Sequence, residues 1–117
     1  MVENVNVIIN CAGHKEFDTP LEVATKINVT GPLLLMQLAE ECHNFEAFCQ
    51  VSTLFSLSDR LGFLDEKMYE SNVNWQQEYN KINSMDQFEL RHNQARITQG
   101  FPNNHCFSKR MGDELLV

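Results

Sequence analysis

The residues that could do chemistry lie in four short segments spread along the chain. These segments offer hydroxyl, amide, imidazole and ammonium groups, which can donate or accept hydrogen bonds to a ligand. His105 and Lys109 are four positions apart, a spacing that places both on one face of a helix. The four segments are residues 10–13, 28–31, 51–53 and 102–109.

Two apolar runs, residues 5–11 and 47–52, predict β-strands, and the first is apolar enough to predict burial on both faces. A helix between them completes a βαβ unit, whose right-handed crossover makes the strands parallel. Parallel strands end at the same sheet edge, where open α/β sheets bind ligands. We therefore expect an α/β fold, part of a Rossmann-type parallel sheet, in which residues 11–13 and 52–53 meet at one edge.

The connecting helix has a strong predicted start. Thr19 is expected to be the N-cap, Pro20 occupies the first helical position, and Glu22 completes a capping box. Apolar residues at helical spacing extend this helix to Cys42.

The second half of the chain begins with a polar insertion. Residues 59–100 are rich in Asn, Gln, Glu and Asp, with weak helical periodicity over 74–96. We expect a partly helical insertion that packs a few aromatic side chains on the sheet, although long loops are often lids or binding elements. Residues 102–104 then open a last helix, predicted over 105–116. The whole chain, 1–117, is expected to be one partial NAD(P)-binding domain.

Composition excludes several classes of protein. The formal charge of −7 argues against a nucleic-acid surface, which needs clustered Lys and Arg. The longest apolar run, residues 32–36, is too short for a transmembrane segment, and no signal peptide opens the chain. An intracellular protein is the expectation.

The cysteines give no metal or disulfide pattern. Cys11, Cys42, Cys49 and Cys106 contain no C-x-x-C pair, so all four are interpreted as small buried hydrophobic residues in a reducing compartment. Zinc binding by Cys42, His43 and Cys49 is an alternative whose spacing fits no zinc motif.

In order and spacing, these segments resemble the fatty acyl-CoA reductase, or male-sterility-type, branch of the extended short-chain dehydrogenase/reductases. The resemblance covers most of the chain except roughly residues 71–100. The segments that carry it are VIINCAGHKEFDTPL (7–21), NVTG (28–31), FCQVSTLF (48–55), EKMY (66–69) and PNNHCFSKRMGDE (102–114).

The resemblance implies NADPH-dependent reduction of a long-chain acyl-CoA thioester to a fatty alcohol. Hydride attack on a carbonyl carbon builds negative charge on oxygen, so a placed acid must stabilise or protonate it. In the family this acid is a tyrosine assisted by a lysine four residues later. Family members are often associated with peroxisomes or the endoplasmic reticulum; oligomeric state cannot be inferred.

The family's functional residues transfer unequally to this chain. Lys109 matches the family lysine, which also holds the nicotinamide ribose. Thr53 matches the hydroxyl donor, with Ser52 as the adjacent alternative, although hydroxyls at a strand end also satisfy backbone groups. Cys11-Ala12-Gly13 matches the turn that approaches the cofactor, where small residues are needed.

His105 occupies the tyrosine position, and this is the main departure from the family pattern. Beside the cationic Lys109, the imidazole is expected to be neutral at pH 7, able to donate a hydrogen bond but a far weaker acid than a phenol. Severely reduced reductase activity follows, unless His105 merely fills space. Asn28 matches a proton-relay residue: its carbonyl cannot pair with Pro32, which lacks an N–H, and could hold a water. The alternative is that Thr30 caps a new helix.

No G-x-x-G-x-x-G loop follows a strand, so the phosphate cradle is missing. We therefore expect a fragment or truncated gene product that binds dinucleotide poorly and does not fold independently, because both sheet edges are open. Two other functions remain open: another extended short-chain dehydrogenase, such as a thioester reductase domain or a sugar-nucleotide epimerase, or a non-catalytic remnant acting through protein contacts.

Overall fold

Two parallel strands form the sheet of this protein, whose computed structural model describes residues 3–117. Strand β1 (Val7–Asn10) pairs with β2 (Ala47–Gln50), with Val7 opposite Ala47 and Asn10 opposite Gln50. The predicted parallel pairing is confirmed. Both strands are shorter than predicted, because the ladder stops at Asn10 and Gln50 and the chain then turns into loops.

The predicted burial of β1 on both faces is wrong. Val7 and Ile9, which share one face, are 50% and 65% exposed, and Cys49 opposite Ile9 is also exposed. Ile8 and Asn10 point to the other face and are covered to a greater degree. The apolar run therefore indicates which residues form the strand, while only one face is packed by the described part of the chain.

A single helical path with a widened turn connects the strands. It consists of α1 (Leu21–Thr25), a π-helical turn (Lys26–Thr30) and α2 (Gly31–Glu40). The Gly31 amide donates to the Lys26 carbonyl five residues earlier. Pro32 has no N–H, so the α-helical bond to the Asn28 carbonyl cannot form, and this missing donor accounts for the widening.

The predicted start of this path needs correction. Pro20 is the residue before α1, no side chain caps the helix, and the Thr19–Glu22 capping box does not form. The Thr19 hydroxyl instead hydrogen-bonds the ring of His14, with 2.9 Å between Oγ1 and Nδ1. The other end of the path also differs: α2 ends at Glu40, before Cys42.

Three further helices follow a short 3-10 turn at Leu54–Leu57. They are α3 (Trp75–Ser84), α4 (Gln87–Ile97) and α5 (Asn104–Leu115). The periodicity over 74–96 thus belongs to two helices. They separate at Met85 because Asp86 and Glu89 form a reciprocal capping box that starts α4. Asn103 caps α5 through the Cys106 amide.

The core lies between helices. Trp75, Ile82 and Leu90 from the polar segment pack with residues of α1, the π-helical turn and α5, so the segment's apolar side chains do not pack on the sheet as predicted. The ring centroids of Trp75 and Phe107 are 5.6 Å apart. The remaining members of the core cluster are Leu21, Val29 and Met111. Helix α5 is consequently buried along most of its length.

The cysteine prediction holds for only two of the four residues. Cys42 and Cys106 are buried, whereas Cys11 and Cys49 are exposed, since Cys11 follows β1 and Cys49 lies on the uncovered sheet face. Within residues 3–117, no group of three or more His, Cys, Asp or Glu side chains is arranged to hold a metal ion. No helix in that range is long and apolar enough to cross a membrane.

Candidate functional site

A cavity of about 500 Å³ lies where β1 and β2 end and α5 begins. Its position follows from the parallel pairing, which brings the ends of both strands to one edge of the sheet. Three of the four segments singled out in the sequence meet here. The lining residues are Cys11, Ala12, Gly13, His14, Lys15, Phe17, Val51, Ser52, Thr53, Phe55, His105 and Lys109.

Lys109 is held at the end of β2. Its Nζ atom donates a hydrogen bond of 2.9 Å to the Val51 carbonyl, which holds the side chain at the carboxyl ends of the strands. Burial lowers the pKa of Lys109 below 10.5, and the carboxylate of Asp113 partly opposes this shift. The ammonium group has two more N–H donors for a ligand.

Thr53 lies directly after β2 and caps the 3-10 turn. Its hydroxyl oxygen accepts a hydrogen bond of 3.3 Å from the Phe55 amide. The alternative that this hydroxyl serves the backbone is therefore correct in part. An accepted bond leaves the hydroxyl hydrogen free, so Thr53 can also donate to a ligand oxygen in the cavity.

The neighbouring hydroxyl of Ser52 is engaged elsewhere. Its Oγ atom donates to Oδ2 of Asp113 on α5 at 2.5 Å. A hydroxyl has only one hydrogen, so this bond makes Ser52 a poor alternative to Thr53 as a donor to a ligand. The bond instead joins the end of β2 to the helix that carries Lys109.

His105 has a defined hydrogen-bonding role in its neutral form. Its Nδ1 atom lies 2.8 Å from the carbonyl oxygen of His14. A carbonyl can only accept, so Nδ1 carries the hydrogen and Nε2 carries a lone pair. The expectation that neutral His105 donates to a ligand is corrected: its one N–H is already used by the backbone.

Asn28 lies behind the cavity and joins three parts of the chain. Its Oδ1 accepts from the His14 amide at 2.8 Å, while Nδ2 donates to the His14 carbonyl at 3.1 Å and to Ser108 Oγ at 2.9 Å. This buried amide therefore fixes the loop after β1 against α5. Asn28 is a positioning residue in this arrangement, and it is not among the residues that line the cavity.

The backbone carbonyl of Asn28 packs against α5. A Cβ atom added to Gly112 would lie only 2.6 Å from this oxygen, so the two elements are in direct contact. This packing does not support the predicted water relay through the Asn28 carbonyl. Thr30 directly precedes α2, as the alternative expected, but its side chain does not cap the helix: its hydroxyl bonds that of Tyr79, with 2.8 Å between the two oxygens.

The turn after β1 is shaped by packing. A Cβ on Gly13 would lie 3.3 Å from Asn28 Oδ1 and 3.8 Å from Lys109 Nζ, so glycine permits the close approach of these side chains. The Ala12 amide donates to Oδ1 of Asn10, whose side-chain amide in turn donates to Gln50 on β2. Packing within the protein therefore accounts for the small residues at this turn, whether or not a cofactor approaches it.

Several residues that organise the site carried no clear sequence signal. The His14 backbone donates to the side chain of Asn28 and accepts from His105, and Asn104 donates to the Thr19 carbonyl at 2.8 Å. The ring of Phe17 lies 5.6 Å from that of His105. Most of these contacts join segments far apart in the sequence, which no local pattern predicts. Asp113, by contrast, lies four residues after Lys109 and could have been found from this helical spacing.

Comparison with known proteins gives a consistent result. The sequence model of the male sterility protein family matches residues 1–117. Fatty acyl-CoA reductase 2 from Bos taurus is 26% identical over 113 residues, which are 97% of this chain and 22% of that protein. A putative fatty acyl-CoA reductase from Drosophila melanogaster is 26% identical over 119 residues, covering 100% of this chain and 22% of the relative.

Fatty acyl-CoA reductase 2 from Mus musculus is 28% identical over 108 residues, or 92% of this chain and 21% of the mouse protein. The chain thus spans about a fifth of the length of these curated relatives. The match to the family model extends over every segment that builds the cavity. The chain belongs to the male sterility protein family.

Proposed function

We propose that this chain forms the carbonyl-reducing part of an alcohol-forming fatty acyl-CoA reductase that uses NADPH. The proposal rests on one observation: Thr53, Lys109 and His105 line a single cavity at the carboxyl ends of two parallel strands. These are the positions at which the resemblance expects the hydroxyl donor, the lysine and the proton donor. The relatives' names supply the substrate class, a fatty acyl-CoA.

The cavity residues fit the nicotinamide end of a dinucleotide. Lys109 Nζ keeps two N–H donors for ribose hydroxyls, and Gly13 leaves the space beside this amine free of a side chain. A volume of about 500 Å³ suits a nicotinamide riboside with a small reacting group. The fit concerns this end only, because the 117 residues contain no G-x-x-G-x-x-G loop for the diphosphate. We propose a Rossmann-type arrangement on this basis.

Each side chain has a separate task in the proposed reduction. The bound nicotinamide would supply hydride to the thioester carbonyl carbon. Thr53 would donate its free hydroxyl hydrogen to the carbonyl oxygen and stabilise the negative charge that develops there. Lys109 would orient the ribose and add positive charge near the same oxygen. Ser52 and Asp113 would hold β2 and α5 in register, which keeps Thr53 and Lys109 at the correct separation.

His105 is the reason to expect slow turnover. The neutral ring uses its Nδ1 hydrogen on the His14 carbonyl, so it has no proton to deliver from Nε2. A tyrosine at this position would offer a phenolic hydrogen, and general acid catalysis contributes about 10²–10⁴-fold in rate. The second candidate function, a non-catalytic family member acting through protein contacts, is favoured by this same feature.

The test is NADPH-dependent reduction of hexadecanoyl-CoA by the full protein and by its His105→Tyr variant. We expect slow turnover with histidine and an increase of about 100-fold with tyrosine. The matched control is His92→Tyr, since His92 is exposed on α4 and is not among the residues that line the cavity. Equal rates for the wild type and the His105→Tyr variant would contradict the proposed impairment. If neither protein reduces the thioester or binds NADPH, the non-catalytic function is the better account.

A further inference from the structure

The hydrogen bonds around His105 determine what kind of oxygen the cavity can hold. The His14 carbonyl accepts from His105 Nδ1 at 2.8 Å and from Asn28 Nδ2 at 3.1 Å. The His14 oxygen can only accept, so His105 Nδ1 must carry a hydrogen. The neutral imidazole is therefore fixed as the Nδ1–H form. His105 is buried, and Phe17 packs beside its ring, which restricts rotation that would exchange the two nitrogens.

A ring fixed in this way contributes an acceptor and no donor to a ligand. No protein donor to His105 Nε2 is found within residues 3–117. Thr53, which lines the same cavity, contributes the opposite group: its oxygen is occupied by the Phe55 amide, and its hydrogen is free. The cavity therefore combines one acceptor, His105 Nε2, with donors from the Thr53 hydroxyl and the Lys109 ammonium group.

We propose that this cavity binds an alcohol in preference to the carbonyl compound with the same carbon skeleton. An alcohol oxygen can accept from Thr53 and at the same time donate its hydrogen to His105 Nε2. A carbonyl oxygen can accept from Thr53, but it has no hydrogen for Nε2 and would place lone pair against lone pair. The inference rests on the proposed function, because it assigns the preferred oxygen-bearing ligand to that same cavity.

The lining of the cavity suits an alcohol with an apolar chain. Phe17 and Phe55 present their rings in an edge arrangement with centroids 6.2 Å apart, and both line the cavity with Val51. These side chains are partly or largely exposed, so they offer apolar contact area to a ligand. The ligand class is therefore a hydroxyl group on an aliphatic chain.

The test uses 2-octanol and 2-octanone as probes, with binding to the full protein measured by isothermal titration calorimetry without dinucleotide. The wild type should bind the alcohol about tenfold more tightly than the ketone, since one hydrogen bond is gained and one repulsion is avoided. In the His105→Phe variant the ring remains but the acceptor is lost, and the preference should fall to within about twofold. The matched His92→Phe variant should keep the tenfold preference.

A second measurement needs no variant. Nitrogen-15 NMR of histidine-labelled wild-type protein reports which ring nitrogen carries the hydrogen, and we expect Nδ1 for His105. A hydrogen on Nε2 would overturn the inference, as would equal binding of alcohol and ketone by the wild type, or an unchanged preference in His105→Phe. The binding and NMR measurements do not require turnover, so they remain informative if the protein does not reduce acyl-CoA. If the alcohol preference fails, the test of NADPH-dependent reduction is not affected.

Discussion

The close packing of Gly112 on α5 against the Asn28 carbonyl predicts that Gly112→Ala destabilises the protein. An alanine Cβ would lie 2.6 Å from the Asn28 carbonyl oxygen, which is shorter than real Cβ contacts allow. The obstacle is backbone within the π-helical turn, so a side-chain rotation cannot relieve it. Either α5 or the turn must move, and both carry hydrogen bonds that position the loop after β1.

Two opposing effects set the change in the free energy of unfolding of Gly112→Ala. Replacing glycine by alanine inside a helix stabilises it by about 1 kcal/mol through propensity alone. Overpacking a close contact costs about 1–3 kcal/mol, and more when only backbone can yield. We expect overpacking to dominate, with a net loss of about 1–2 kcal/mol in the free energy of unfolding.

Equilibrium urea denaturation of the full protein, followed by circular dichroism, measures this loss. The control is Ala95→Gly, the reverse exchange at an exposed position of α4, which should cost about 1 kcal/mol through propensity alone. If propensity governed both sites, Gly112→Ala would be stabilising by the amount that Ala95→Gly loses. A Gly112→Ala protein as stable as the wild type would refute the close contact.

Three further predictions concern single hydrogen bonds and charges. Thr53→Val should lower the rate of acyl-CoA reduction about 100-fold when it is introduced into the faster His105→Tyr variant, because the carbonyl oxygen loses its hydrogen-bond donor. An unchanged rate would exclude Thr53 as that donor. Asp113→Asn should lower the pKa of Lys109 further, because the carboxylate that raises it is removed, and NMR titration of the labelled lysine measures the shift. The pKa of Lys109 is lower in the folded than in the unfolded state, so the unfolded state binds more protons between that lowered pKa and 10.5. The stability of the protein should therefore rise with pH over this interval, and the interval should be wider in Asp113→Asn. Asp86→Ala should cost about 1 kcal/mol of stability through loss of the α4 cap, as judged by urea denaturation, and no loss would contradict the capping box.

Local patterns were sufficient for the parts of the fold that depend on neighbours in sequence. The two strands follow from short apolar runs, and the handedness of the crossover then fixes their parallel pairing. That pairing brings the loop after β1 and Thr53 to one edge of the sheet, and Lys109 reaches the same cavity because α5 packs beside that edge. The capping box at Asp86 and Glu89 could also have been predicted, since the D-x-x-E spacing is its usual signature.

The remaining features depend on side-chain competition across long separations. Thr19 has the residue type of an N-cap, but α1 begins one residue later than predicted, after Pro20, and the Thr19 hydroxyl bonds His14. Ser52 and Thr53 are adjacent hydroxyls, and only the position of Asp113 on α5 shows which one is engaged. The hydrogen on His105 depends on the carbonyl of His14, 91 residues away. No periodicity or propensity contains such information.

Direct binding tests the proposal that the cavity beside Lys109 holds the nicotinamide end of NADPH. Fluorescence titration of NADPH into the full protein should show binding that weakens at least about tenfold in Lys109→Met, because hydrogen bonds from a charged group are lost. The control is Lys81→Met, whose lysine pairs with Glu78 on the surface of α3, and its affinity should equal that of the wild type. Equal NADPH affinity for the wild type and Lys109→Met would contradict the claim.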